Sequence, residues 1–387
     1  MPTSALALFF ILRVSLVSNF NLNTPQIYTA ERIFTGENWL KQHAVIVDQE
    51  KITDVVPVSG LSSSQRAEQF DNCIIVPAFI DLQIYGANGK LLAVHPGKEA
   101  LHDLVSYCQK GGAACCLPAV ATNTPEVFYQ CIDAVRAYWS ENGTGVLGLH
   151  LEGPWISVLK RGAHVESLIH SPSLNEVKEL LDYGKGVIKM ITLAPEVCEK
   201  EIIELIVSQG IIVSAGHSNA TYMEAKQQFA NGITAATHLF NAMSSLNHRE
   251  PGLVGAIMDD KKIMASIIPD GHHVDYAAIR IAKEVMKGRL FAITDAVTLT
   301  DKGYYHHQPA GDKYEAAGIL SGSSLTMTRA LKNLVECAGI SLEESLRMCS
   351  LYPAQVMKID TEWGRIGTGY ISRMLVLNDA LEPVEML

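Results

Sequence analysis

Eight side chains able to ligate a metal or move a proton recur at equivalent places in this sequence. His150 with Glu152, His217, His238, Asp270 with His272 and His273, and Asp295 each stand at or just after the end of an apolar, β-rich run. Neutral imidazoles together with a carboxylate hold a borderline divalent cation while leaving a position open for water. Glu152, His217 and His238 supply such a set from three separate runs. A solitary histidine is ordinarily a hydrogen-bonded core or loop residue; three at the same point of successive units form the pattern of a ligand set. Asp295, in LFAITDAV, is an acid ending an apolar run. Buried carboxylates are rarely left unpaired, so it is either a structural acceptor or a base, and its place beside the ligand set favours a base acting on the activated water. The chemistry implied is metal-dependent hydrolysis.

Residues so far apart meet only if the fold brings strand ends together. From residue 73 the sequence repeats an apolar run followed by a helical stretch. The runs are CIIVPAFIDLQ, AACCLPAVAT, GVLGLHLEG, VIKMITLAPE, GIIVSAGHS, ITAATHLFN, IMASIIPDGHH and RLFAITDAV. Between them lie stretches with apolar spacing of three and four, such as LHDLVSYCQK and DYAAIRIAKEVMK. Eight such units predict an α/β fold, a (β/α)8 TIM-like barrel, whose C-terminal strand ends share one mouth. Residues 26–74 read as short strands with turns, and residues 365–387 return to strand-like text. A small discontinuous β-sandwich domain built from both chain ends is therefore expected, with the barrel over 75–364. Residues 1–25 read as a disordered or extraneous leader: 5–17 are apolar, but Arg13 interrupts them and neither a basic n-region nor a small-residue cleavage site flanks them.

Composition bounds the partners. The 387 residues are 48% hydrophobic and 19% charged, with 31 Lys and Arg against 41 Asp and Glu, a net charge of -10. An acidic chain lacks the basic footprint that nucleic acid or an anionic membrane requires, and no apolar stretch spans a bilayer. The 8 cysteines form no C-x-x-C pair and sit in apolar runs, predicting free thiols in a reducing, cytoplasmic setting. An anionic ligand would have to be held by a few local cations.

The strings PAFIDLQIYGANG (77–89), LGLHLEGPWIS (147–157), SAGHSNAT (214–221), THLFNAM (237–243), REPGLVGAI (249–257), DGHHVDY (270–276), TDAVT (294–298) and LSGSSLTM (320–327) resemble the N-acetylglucosamine-6-phosphate deacetylase family of the amidohydrolase superfamily. The likeness runs in order over residues 28–379. It implies hydrolysis of the acetamide of an N-acetylated amino-sugar 6-phosphate to acetate and the amine. Position by position, it implies metal ligation by Glu152, His217 and His238 and acid/base catalysis by Asp295. Substrate contacts fall on Ala163, His164, Asn241, Ala242, Arg249, Asp270, Gly271, His272, His273, Leu320, Ser321 and Gly322. Arg249 offers a planar fork for phosphate. In that family the arginine is lent by the neighbouring subunit, so a homodimer is implied, with Arg249 reaching the neighbouring site.

Many amidohydrolases carry H-x-H at the end of the first barrel strand and bind two metals; the matching positions here are Gln83 and Tyr85. One divalent metal per subunit is therefore expected, zinc first, with iron, manganese or cobalt as alternatives. Gln83 would touch a metal water at most, and Tyr85 would shape the pocket. The tandem His306 and His307, in the polar loop 302–318, are expected to face solvent. Rival readings are a deacetylase for the galacto epimer, another amidohydrolase such as a cyclic amidase or dipeptidase, and a non-catalytic sugar-phosphate sensor. The filled phosphate positions disfavour the second, and the intact ligand set and base disfavour the third.

Overall fold

The computed structural model describes residues 25–387. The leader assigned to residues 1–25 lies, but for Pro25, outside the described residues.

Eight parallel strands form one sheet: β1 (Phe79–Ile84), β2 (Ala113–Ala121), β3 (Leu149–Glu152), β4 (Ile188–Leu193), β5 (Ile212–Ala215), β6 (Ala235–Ala236), β7 (Met264–Ile267) and β8 (Leu290–Ala292), each paired with the next. The sheet closes into the expected barrel where Ile84 bridges Ala296 and the Asp295 amide donates to the Gln83 carbonyl at 2.9 Å. Helices such as Lys98–Lys110 and Pro125–Ser140 follow the strands and bury leucine, isoleucine, valine and cysteine against them. The capping box of Thr221 and Glu224 starts helix Tyr222–Ala230 just past β5, which explains why SNAT follows His217.

Side chains alternate along a strand. That alternation places Asp81 with Gln83, and His150 with Glu152, on common faces of β1 and β3, and all four are buried. The polar groups between the strands satisfy one another. His150 Nε2 meets Thr192 Oγ1 at 2.6 Å, and Thr192 and Ser214 each meet the Thr237 hydroxyl, at 2.7 and 2.6 Å. Burial, only partly offset by Glu152, pushes His150 down to about 4, so it is a neutral structural histidine.

The two chain ends build a second sheet. Gln26–Phe34 runs antiparallel to His43–Asp48 and parallel to Glu68–Pro77, and Met374–Asn378 inserts antiparallel to Glu68–Pro77. The β-domain expected from both ends is present, but where a sandwich was expected its strands hydrogen-bond into one continuous seven-stranded sheet, with its own core including Ile33, Val45, Ile75, Ile366, Met374 and Val376. The run CIIVPAFIDLQ, read as one barrel strand, divides in two. Its first part pairs with Met374–Asn378, while Phe79 pairs with Ala113 in the barrel. Pro77, with no N–H to donate, stands where the chain changes sheets. All eight cysteines are free thiols, and only Cys337 is exposed. Among the described residues, no helix is long and apolar enough to cross a membrane.

Candidate metal-hydrolase site

Of the residues singled out at the strand ends, Glu152, His217, His238, His273 and Asp295 line one cavity of about 180 Å³. Glu152 ends β3, His217 and His238 stand just past β5 and β6, and Asp295 stands just past β8. His217, His238 and Asp295 all have positive φ, 46, 38 and 54°. Strain of this kind costs about 1–3 kcal/mol per residue and persists only where the surroundings enforce it. Here the amide of His238 is held by Ser266 Oγ at 2.8 Å, the carbonyl of His217 by the Ser157 amide at 2.8 Å, and the carbonyl of Asp295 by the Ser323 amide at 3.0 Å.

At the cavity floor Glu152 Oε1 lies 3.0 Å from His238 Nε2 and 3.3 Å from His217 Nε2, and the two imidazole nitrogens are 3.1 Å apart. His217 Nδ1 faces the Lys160 carbonyl at 3.0 Å, which puts its proton there and turns the Nε2 lone pair inward. His238 Nδ1 is buried without a partner among the described residues, so its Nε2 contacts alone fix its polar orientation. Two inward imidazole nitrogens against one carboxylate oxygen, all buried, are a donor set that fits a divalent cation. His164 joins the group: its Nε2 is 3.3 Å from Glu152 Oε2, and ligand-capable atoms of Glu152, His164 and His217 lie within 4.8 Å of one another.

Burial alone would raise the Glu152 carboxyl. The three imidazoles of His217, His164 and His238 packed around it overcome that and hold it well below the usual carboxylate range. Burial and the neighbouring His164 lower His217, which favours the neutral ligand form. Asp295 is driven the other way. Burial, with Glu152, Asp270 and Asp81 adding repulsion against the pull of His238, raises it well above its ordinary value.

Gln83 does not reach the cavity. It lies beneath, its Nε2 within 2.8 Å of Asp295 Oδ1, 3.1 Å of Glu152 Oε1 and 2.7 Å of the Tyr85 hydroxyl. That amide has two protons for three acceptors, so it ties the floor together and has no donor left for the cavity. Tyr85 lines the cavity and donates its hydroxyl to Glu152 Oε2, leaving Oε1 to face His217 and His238.

Of the substrate-contact residues, Ala163, His164, Asn241, Ala242, His273, Leu320, Ser321 and Gly322 line the cavity. Arg249, Asp270, Gly271 and His272 do not. Asp270 works through its neighbour, accepting from His273 Nδ1 at 2.6 Å and from the amides of His272 and His273. Gly271 makes that turn at φ +76°. His272 points away, to Asp312 at 2.7 Å. Arg249 is exposed, and its side chain has no partner among the described residues. Gly322 is a position where a side chain is excluded: at φ +128° a Cβ would meet Val297 at 2.6 Å and the Asp295 carbonyl at 3.0 Å.

Sequence reasoning missed part of the roof. The loop taken as polar and solvent-facing folds into a three-stranded sheet, Gln308–Ala310, Lys313–Ala316 and Ile319–Ser323, beside the mouth. His306 is exposed as expected, but His307 is buried and lines the cavity, because the sheet carries it inward against Ser321. Tyr305 also lines the cavity and donates to the Thr122 carbonyl at 2.7 Å. The only sequence signal was the pair of aromatic and imidazole rings (YYHH) beside a glycine, which resembles any exposed loop.

Residues 74–385 match the amidohydrolase family, and residues 27–69 match the NagA composite domain. The chain is 34% identical to an N-acetylglucosamine-6-phosphate deacetylase from Haemophilus influenzae over 89% of its own length and 93% of the relative's. It is 28% identical to an N-acetylgalactosamine-6-phosphate deacetylase from Escherichia coli over 92% and 96% of the two chains. The crystal structure of an N-acetylglucosamine-6-phosphate deacetylase from Pasteurella multocida superposes with a TM-score of 0.90 at 33% identity, covering 94% of this chain and 98% of that one.

Proposed function

This chain belongs to the amidohydrolase family and, within it, to the N-acetylglucosamine-6-phosphate deacetylases, and on that footing we propose that it hydrolyses the acetamide of N-acetyl-D-glucosamine 6-phosphate to D-glucosamine 6-phosphate and acetate. The observation that carries this reading is the buried cluster of Glu152, His217 and His238 with Asp295 on the floor of one cavity.

In this reading Glu152, His217 and His238 hold one divalent cation, zinc first, with iron, manganese or cobalt as alternatives. When bound, such a cation acidifies water and polarises a carbonyl. Asp295 accepts the proton of the attacking water. Its raised affinity for protons suits it to hold that proton and then deliver it to the leaving nitrogen as the C–N bond breaks. His164, its Nδ1 2.7 Å from Thr122 Oγ1, presents Nε2 toward the reacting carbonyl and steadies the oxygen as it gains charge. Tyr85, through its bond to Glu152, keeps the second carboxylate oxygen from a second cation. His273, oriented by Asp270, and the Asn241–Ala242 backbone take the phosphate end, which supports binding of an anion by an acidic protein.

Arg249 completes the phosphate grip from the partner subunit of a homodimer; its exposure and the lack of a side-chain partner among the described residues support this. Subunit mixing tests it. Arg249→Ala mixed with Asp295→Asn regains activity at low substrate if the arginine crosses the interface, because one hybrid site is then complete; no regain places Arg249 in its own site. The free thiols support a reducing, cytoplasmic location. The relative named for N-acetylgalactosamine 6-phosphate makes the epimer the sharpest question. Acetate release measured with both 6-phosphate epimers in competition should favour the gluco form, and a galacto preference would reverse the assignment.

A further inference from the structure

His307 is a buried imidazole that the scheme above leaves unused. Its Nδ1 pairs with Ser321 Oγ at 2.9 Å, and its ring stacks on Tyr305, 6.0 Å between centroids and 9° from parallel. Tyr305 is in turn fixed by its hydroxyl on the Thr122 carbonyl and meets the His164 ring edge-on at 6.1 Å. The Thr300 amide holds the His307 carbonyl at 3.2 Å. Ring plane, backbone and Nδ1 are thereby all fixed. His307 Nε2 has no partner among the described residues, yet it is not one of the sealed polar atoms that lack a hydrogen bond, and the residue lines the cavity.

A polar atom held on a rigid cavity wall without a protein partner is open to bond a ligand there. Two ring steps at most separate His307 from His164, so it stands beside any pyranose whose acetamide lies over Glu152. Resting on the amino-sugar reading above, we propose that His307 is a specificity residue whose Nε2 hydrogen-bonds a ring hydroxyl of the sugar, with Ser321 anchoring Nδ1. Burial, with His306 adding to it, pushes His307 down to about 4, so at neutral pH the ring is uncharged. An uncharged ring suits a hydroxyl and not the phosphate. The phosphate end falls to His273 and the Asn241–Ala242 backbone.

The test uses the metal-loaded protein, N-acetylglucosamine 6-phosphate and its 3-deoxy and 4-deoxy analogues. His307→Phe keeps the ring stack and removes the hydrogen bond. A rise of about tenfold in KM is expected, the scale of one lost hydrogen bond to a site built for it, with kcat moved by no more than about twofold. His307→Gln should recover part of the loss, and metal content should match the wild type in both variants. Against one of the two deoxy analogues His307→Phe should cost nothing further, which identifies the hydroxyl. If the variant keeps the wild-type KM, or if both analogues remain as sensitive as the parent sugar, the proposal is overturned. If instead the wild type itself releases no acetate from the phosphorylated sugar, the amino-sugar reading fails, and the hydroxyl assigned to His307 goes with it.

Discussion

The floor and the roof of the cavity are built on different principles. On the floor, Glu152, His217, His238, Gln83 and Asp295 spend their polar atoms on one another at 2.8 to 3.3 Å, and the turns past the strand ends hold His217, His238 and Asp295 in strained backbone conformations. On the roof, His307, Leu320, Ser321 and Gly322 are carried by a small loop-borne sheet, and the Arg249 side chain, outside it, has no partner among the described residues. A mutually satisfied cluster is suited to hold charge still while bonds change. A wall with unpaired polar atoms is suited to recognise a ligand. Floor substitutions should therefore strike turnover or metal, and roof substitutions should strike KM.

Asp295→Asn offers the largest test. It should lower kcat by about 10²- to 10⁴-fold while metal content and binding of glucosamine 6-phosphate persist. Near-normal turnover would remove Asp295 from the chemistry. Tyr85→Phe frees Glu152 Oε2, and loss of such an outer contact should weaken metal retention about 10- to 100-fold in a chelator competition. Retention equal to the wild type would make Tyr85 a packing residue. Arg249→Ala should raise KM for the phosphorylated sugar by about 10-fold or more, the scale of a charge-assisted bond, and leave the unphosphorylated sugar unaffected. Equal losses on both would end the phosphate assignment.

A further effect, on stability and not on turnover, lies below the floor. Burial pushes Asp81 up to about 6, although Thr294 and the Gln83 amide donate to it. A carboxyl raised in the folded state contributes stability below its unfolded value near 4, and that contribution is lost as pH rises through about 6. Relative to Asp81→Asn, the wild type should lose about 3 kcal/mol of unfolding free energy between about pH 4 and pH 7. Parallel pH profiles for the two proteins would show that Asp81 does not titrate as described.

The same division explains what could be read in the sequence. Glu152, His217, His238 and Asp295 were legible because a parallel strand announces itself as an apolar run, and a polar residue at its end has few structural reasons to be there. The eight runs and the terminal β-domain were legible for the same reason. The change of sheets at Pro77 was not, since an apolar run does not say which partner each half pairs with. His307 was misread because loop residues 302–318 bear no periodicity, and their inward fold is set by tertiary contacts to Ser321 and Thr122 that leave no local mark. Asp270 and His272, within three residues of His273, differ from it in role because one tight turn aims each in its own direction.

The central claim is that one cation held on this floor is needed for amide hydrolysis. The direct measurement strips metal from the protein in steps and records acetate release from N-acetylglucosamine 6-phosphate and metal content on the same samples. Activity should fall in proportion to metal, extrapolate to zero at zero metal, and saturate on reloading at one ion per subunit. Full acetate release from metal-free protein, or saturation only at two ions, would contradict the account.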